Sequence, residues 1–406
     1  MKVVFQIALG IIAAIGGFVD IGDLVFNTQA GALFGYQLLW AIPVGVLGIM
    51  IFAEMSGRVA AIHGRANFEL VAERYSPRLG LATLIASLVL SGLTLAAEIG
   101  GVGLVLQLFF DATPQTFMLI GVAVIAAAAW FLSFDAIERI FGYGGLALLV
   151  YVAAAVHLHP DWSRVGNGFV PEAQSSSLYA YFVVGVIAAA LMPYEIYFYS
   201  SGAIEEKWTE SDLNVNRLNA VIGYGLGALL SVGLMVTAAQ VFHPAGVDPS
   251  SIGTVVLGAQ VPFGTAGLVL AMLGILFALG GAAIDTCFSS AYNLAQFRGW
   301  SWGKRKGHRG APRWTVTWLA FFAGGYALIA TGIDPVEVTE YAVVLSVIAL
   351  PLTYLPILLV ANDREAMGRH ANGLFARVLG WGYFGVICVL TVAAPVLLIV
   401  TNGGGG

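Results

Sequence analysis

The chain has 406 residues, 59% of them hydrophobic and only 10% charged, and its mean hydropathy is +0.87. A soluble domain carries roughly 25% charged residues, so that class is excluded. The net charge of −5 by itself says little about nucleic acid, but there is no basic domain and a nucleic-acid partner is not expected. What remains is an integral membrane protein made of apolar spans of about 20 residues.

Eleven spans are expected, at about 3–32, 35–57, 80–110, 114–134, 139–158, 177–202, 216–242, 261–296, 314–332, 338–361 and 374–400. The first run lacks a small-residue cleavage site and more spans follow it, so it reads as a transmembrane helix and not as a removed signal peptide. Its centre, GGFVDIGDLVF (16–26), is interrupted by glycines and acids. The segment 58–79 is amphipathic and predicts a short cytoplasmic helix. The sixth span carries a second interruption, AAALMPYEIYF (188–198), and the eighth carries Asp285. KRKGHRG (304–310) reads as a solvated loop near anionic lipid. Cys287 and Cys388 both fall in apolar runs and read as small core residues.

With the N-terminus inside, every Lys and Arg except Arg164 falls in an inner segment. That asymmetry places the N-terminus in the cytoplasm and the C-terminus outside. The chain is read as one transmembrane domain over 1–406. Spans 1–5 (about 3–158) and 6–10 (about 177–361) form two halves, and span 11 (about 374–400) is an addition.

Five carboxylates lie inside the apolar runs: Asp20, Asp23, Glu98, Glu195 and Asp285. No Lys, Arg or His lies deep in any run to pair with them. A carboxylate at the bilayer centre costs about 2.5–3.5 kcal/mol even on lenient scales, so such groups face a cavity or a partner. The partner indicated is a cation from solution. The two interrupted spans lie five apart, the pattern of a transporter site built from inverted repeats. Interrupting a helix at mid-membrane frees carbonyl oxygens, tolerated only around a cavity.

Asp20 and Asp23 flank the first interruption. The second supplies Met192, the carbonyl of Ala189 or a neighbour, and Glu195. Oxygen ligands suit Mg²⁺, Ca²⁺ and Mn²⁺, while thioether sulfur favours softer ions. Alone, Met192 would be a gap-filling core residue; beside Pro193 and opposite Asp20 it reads as a ligand. Asp285 has two readings. It lines the ion path, or it is a protonated carboxyl bonded to Thr286 or a nearby serine. There is no nucleophile–base constellation, phosphate loop or nucleotide domain. An enzyme, a resident cofactor and ATP-driven transport are therefore not expected, nor is an obligate protein partner.

These motifs resemble the NRAMP family of divalent-metal transporters. That family has Asp-Pro-Gly-Asn in its first span and Met-Pro-His in its sixth. Here the positions read Asp20-Ile21-Gly22-Asp23 and Met192-Pro193-Tyr194. AGALFGYQLLW (30–40), EMSGRVAAIHGRANFELVAERYSPRLG (54–80) and DREAMGRHANG (363–373) extend the likeness over essentially the whole chain. The resemblance implies an all-α architecture of eleven spans with a LeuT-like 5+5 inverted repeat, broken in spans 1 and 6. It implies import of a divalent metal, usually with protons, through a bacterial inner membrane. Carried over by position, Asp20, Asp23, Met192 and the Ala189 carbonyl match the metal ligands.

The departures mark a divergent branch. Family Pro is Ile21, so the first interruption is expected to rely on Gly22. Family Asn is Asp23, family His is Tyr194, and Glu195 follows. A third-span Asp is Leu95, although its companion Glu is kept as Glu98. Arg313 resembles half of a ninth-span basic pair. Losing the near-neutral imidazole and the third-span Asp counts against proton coupling by the usual route. Glu98 or Glu195 would carry protons if burial raises their pKa values, and Glu98, Arg313 and Asp285 are the candidates for a proton or ion path. Met192 favours Mn²⁺ or Fe²⁺. The added carboxylates make Mg²⁺ the competing substrate. An organic solute carried with Na⁺ on the same fold is a further alternative, disfavoured by the crowding of acids.

Overall fold

The computed structural model describes residues 19–74, 77–110, 113–172, 174–249 and 251–404, all helix and connecting loop with no strand among them. The N-terminal half of the first expected span, with its glycines at 16 and 17, lies outside the described residues. Its second half is α1 (Ile21–Phe34). Then come α2 (Ala41–His63), α3 (Asn67–Arg74), α4 (Pro77–Gln107) and α5 (Pro114–Phe131). The fifth span is α6 (Phe134–Gly145) and α7 (Leu149–His157), joined by a 3₁₀ turn. A short helix, α8 (Trp162–Asn167), precedes α9 (Ser177–Ala189) and α10 (Pro193–Glu205).

The second half continues with α11 (Leu213–Leu218), a π turn and α12 (Tyr224–Val241). It ends with α13 (Ile252–Phe297, kinked at Gly264), α14 (Pro312–Ile329), α15 (Pro335–Asn362) and α16 (Leu374–Val400).

Among the described residues, nine helical stretches are long and apolar enough to cross a membrane. α14 is less apolar because Pro312, Arg313 and two tryptophans open it, and α1 is described for 14 residues only. The count of eleven is thus an expectation that these residues leave open. Two boundaries move. α2 starts six residues later than expected and runs to His63, which brings Arg58 inside the helix. There Arg58 is buried and donates to Glu54 (2.9 Å), Asn372 Oδ1 (2.6 Å) and the His370 carbonyl. α6 starts at Phe134, capped by Ser133, which accepts from the Ala136 N–H at 3.3 Å. This brings Glu138 into the span.

The broken helix α9–α10 is central, with 78% of its apolar window buried, against 22% for α16 at the periphery. α9 packs on α1 and α2, α10 on α2 and α13, and α13 runs along α4. Outward-facing leucine, valine and phenylalanine cover α5 and α16. These match an outer surface solvated by lipid, not water.

Close approach of small residues sets the packing around α1. A Cβ on Gly31 would meet the Met235 carbonyl oxygen of α12 at 2.3 Å and the Ala238 Cβ at 2.9 Å. Gly31→Ala is therefore expected to cost about 1–3 kcal/mol through overpacking, read as a lower unfolding midpoint in detergent. An unchanged midpoint would mean that α1 and α12 can part freely.

The basic segment 304–310 is a docked loop and not a freely solvated one. The Lys304 and Arg305 N–H groups bond to Glu205, and Lys304 Nζ bonds to the Ala129 carbonyl at the end of α5. Burial pulls the Lys304 ammonium below its ordinary pKa range. Arg305 reaches Asp135 at 2.6 Å, and His308 stacks on Trp130 at 3.8 Å. The sequence pattern misses this because the partners are carbonyls and acids far away in the chain. Of the amphipathic segment 58–79, only Asn67–Arg74 forms the separate short helix α3, tied to the residues just before this loop by the Trp302 indole N–H donating to Glu69 at 2.9 Å.

Candidate metal centre

Both interruptions have a local cause. Pro193 opens α10 at its first position and has no N–H, so the Ala189 carbonyl loses its i+4 donor. The residue before a proline is pushed out of the α region, and Met192 has ψ 127°. Residues 190–192 therefore leave the helix in mid-protein. The Leu191 carbonyl is taken by the Tyr354 hydroxyl at 3.2 Å. At the first interruption Asp20 is an N-cap in extended conformation, its Oδ1 accepting the Asp23 N–H at 3.1 Å.

Gly22 does not make this break, contrary to expectation; it lies inside α1. Its role is close approach. A Cβ there would sit 2.8 Å from Val343 Cγ2, 3.0 Å from Asp20 Oδ1 and 3.6 Å from the Ala189 Cβ. The missing side chain lets the two interruptions meet.

The Tyr194 hydroxyl crosses between them and donates to Asp20 Oδ2 at 3.1 Å. Asp23 Oδ1 accepts from Asn27 Nδ2 (3.0 Å) and the Ser231 hydroxyl of α12 (3.2 Å). Asp23 Oδ2 is buried and has no hydrogen-bond partner among the described residues. Glu195, in the first turn of α10, is 7% exposed, and neither of its oxygens has a partner. It lies within electrostatic range of Asp20 and Asp23. Met192 is 1% exposed.

Glu98 of α4 is fully buried; it accepts the Thr286 hydroxyl at 3.2 Å through Oε1 and leaves Oε2 without a partner. An unpaired buried acid is costly unless a cation or proton compensates it. Among the described residues, the buried carboxylate oxygens without a partner lie on Asp23, Glu98 and Glu195, all three of which the sequence singles out.

Among the described residues, no three His, Cys, Asp or Glu side chains close a cage around one point. An ion here would complete its shell with Met192, the Ala189 carbonyl and water. An incomplete side-chain cage suits a site that must release its ion as well as bind it.

Asp285 is half-buried in α13 and lines a cavity of about 30 Å³ with Glu138, Phe134, Phe141, Phe198 and Phe288. The hydroxyls expected to cap it go elsewhere: Thr286 to Glu98, Ser289 to the Tyr194 carbonyl (3.0 Å), and Ser290 to the Thr286 carbonyl (3.0 Å). Sequence periodicity starts the fifth span at 139 and so leaves Glu138 outside it; Ser133 followed by Asp135 is the capping signal that marks the true start. Arg313 makes no ion pair among the described residues; it is exposed at the first turn of α14, with its guanidinium 5.3 Å from the Trp300 ring centroid.

The Nramp family model, described as natural resistance-associated macrophage protein-like, matches residues 10–397. A divalent metal cation transporter, MntH of Deinococcus radiodurans, is 28% identical over 400 residues, covering 94% of this chain and 86% of the relative. Among solved structures, a mutant of the Eremococcus coleocola manganese transporter aligns with a TM-score of 0.77 at 18% identity, over 98% of this chain and 86% of that one. Mhp1, a nucleobase-cation-symport-1 family transporter, aligns with a TM-score of 0.57 at 14% identity, over 97% of this chain and 93% of that one. At these identities the structural matches establish the fold.

Proposed function

The chain belongs to the Nramp family, and from that premise we propose that it is a secondary transporter importing a divalent metal ion by alternating access, with Mn²⁺ or Fe²⁺ favoured. The observation that carries the proposal is the set of buried, unpartnered oxygens on Asp23 and Glu195 beside Met192, where the two helix interruptions meet. The ligands assigned are Asp20, Asp23, Met192, the Ala189 carbonyl and Glu195. Glu98 and Asp285 are assigned to a proton or ion path beyond the site; Arg313 stands outside it. The relatives named as divalent metal cation and manganese transporters support this choice of substrate.

The domain reading is a single transmembrane unit of two five-span halves plus α16. The N-terminus is assigned to the cytoplasm, the C-terminus outside, and the membrane to a bacterial inner membrane. Proton coupling by the family's usual route has no imidazole at Tyr194 and no acid at Leu95.

Mg²⁺ is the second reading, favoured by the added carboxylates of Asp23 and Glu195. Competitive Mn²⁺ and Mg²⁺ uptake into proteoliposomes separates the two. Mn²⁺ uptake well above protein-free liposomes, weakly inhibited by Mg²⁺, is the expected result. Mg²⁺ uptake that Mn²⁺ barely inhibits would transfer the assignment, and uptake of neither ion would overturn it.

A further inference from the structure

A carrier that moves its cargo one way must also return without it. For this protein the return is a physical problem. Metal-free, the interruptions hold Asp20, Asp23 and Glu195 in the protein interior with no basic side chain among them. Among the described residues, Asp23 Oδ2 and both Glu195 oxygens have no hydrogen-bond partner. Each such charge is expensive to carry through a rearrangement in low dielectric. Protons on a histidine cannot help, because position 194 is tyrosine.

Asp20 is the exception. Its Oδ1 is held by the Asp23 N–H and its Oδ2 by the Tyr194 hydroxyl at 3.1 Å. These donors differ in kind. The Asp23 N–H belongs to the same helix end as Asp20. The phenol belongs to α10 and joins one interruption to the other across the place where the ion is proposed to sit. Tyr194 is also well placed for the task. Pro193 fixes the backbone before it, the Ser289 hydroxyl of α13 bonds its carbonyl at 3.0 Å, and the residue is 2% exposed. A phenol is a donor whose own pKa lies near 10, so near neutral pH it donates and does not become an anion.

We infer that the Tyr194 hydroxyl stands in for the metal at Asp20 during the return of the unloaded carrier. The inference rests on Asp20 being a metal ligand. When metal binds Asp20 Oδ2, the phenol yields that oxygen. When metal leaves, the phenol re-forms the bond and keeps α1 and α10 linked. Tyr194 is thus a positioning residue for the empty state, and it contributes nothing to the loaded state.

This division of labour is separable by experiment. Net Mn²⁺ uptake requires the unloaded return, whereas exchange of radiolabelled external Mn²⁺ against unlabelled internal Mn²⁺ does not. For Tyr194→Phe in proteoliposomes, net uptake is expected to fall about tenfold, the rate equivalent of one charge-assisted hydrogen bond. Exchange is expected to stay within about twofold, and Mn²⁺ binding to the purified variant to be equal or tighter, because a competing donor is gone.

Parallel loss of exchange and net uptake would overturn the inference and make Tyr194 part of the loaded site. So would weaker Mn²⁺ binding, the signature of a group that supports a ligating carboxylate, and so would unchanged net uptake. Retained exchange also demonstrates that the variant is folded. Failure of the underlying reading looks different: Asp20→Asn would then still bind Mn²⁺, whatever happens at Tyr194.

Discussion

Asp20→Ala is expected to abolish Mn²⁺ uptake and to weaken Mn²⁺ binding by about 100-fold or more, the usual scale for losing one buried charged partner. Two effects combine in that variant. The carboxylate is lost as a ligand, and α1 loses its N-cap, because Asp20 Oδ1 accepts the Asp23 N–H. Cap loss alone costs about 0.5–2 kcal/mol of stability and could unsettle α1. Asp20→Asn separates the two, since its side-chain carbonyl still caps while its charge is gone. Binding measured by calorimetry on both variants, with flux in proteoliposomes, decides the matter. Loss of binding in Asp20→Asn with a normal unfolding midpoint assigns the effect to the ligand. Wild-type uptake in either variant would place the ion elsewhere.

Met192→Ala is expected to change selectivity more than it changes transport. It removes the one soft donor and leaves the carboxylates and carbonyls. Mn²⁺ affinity should fall roughly tenfold, the lower end of what disturbing a metal shell costs. Mg²⁺ and Ca²⁺, which gain little from sulfur, should be bound almost as before. The variant also opens a void, but a void weakens every ion alike. The ratio of Mn²⁺ to Mg²⁺ dissociation constants therefore isolates the ligand effect. A constant ratio would return Met192 to a packing role.

Much of this site was legible in the sequence because its causes are local. Pro193 must deprive the Ala189 carbonyl of its donor and must push Met192 out of the helix, whatever surrounds them. Asp20 before an apolar helical run is a capping signal. The absence of basic residues from the runs can be counted directly. Features whose cause lies far away in the chain are not legible in this way. From sequence Gly22 reads as a helix breaker, while its lack of a side chain serves the approach of Ala189 and Val343 from other spans. The loop 304–310 reads as solvated from composition, yet Glu205 and the end of α5 hold it. A span boundary shifted by a few residues hides Glu138, an acid that lines the same cavity as Asp285. The Tyr194 hydroxyl on Asp20 spans 174 positions of sequence, and nothing local announces it.

The central claim is that one divalent ion sits where the two interrupted helices meet. Anomalous scattering at the manganese edge, from crystals soaked in Mn²⁺, tests it most directly. The account predicts a single strong peak bounded by Asp20, Asp23 and Met192, lost in Asp20→Asn. A principal peak between Glu138 and Asp285 instead, or none under conditions that support Mn²⁺ uptake, would contradict it.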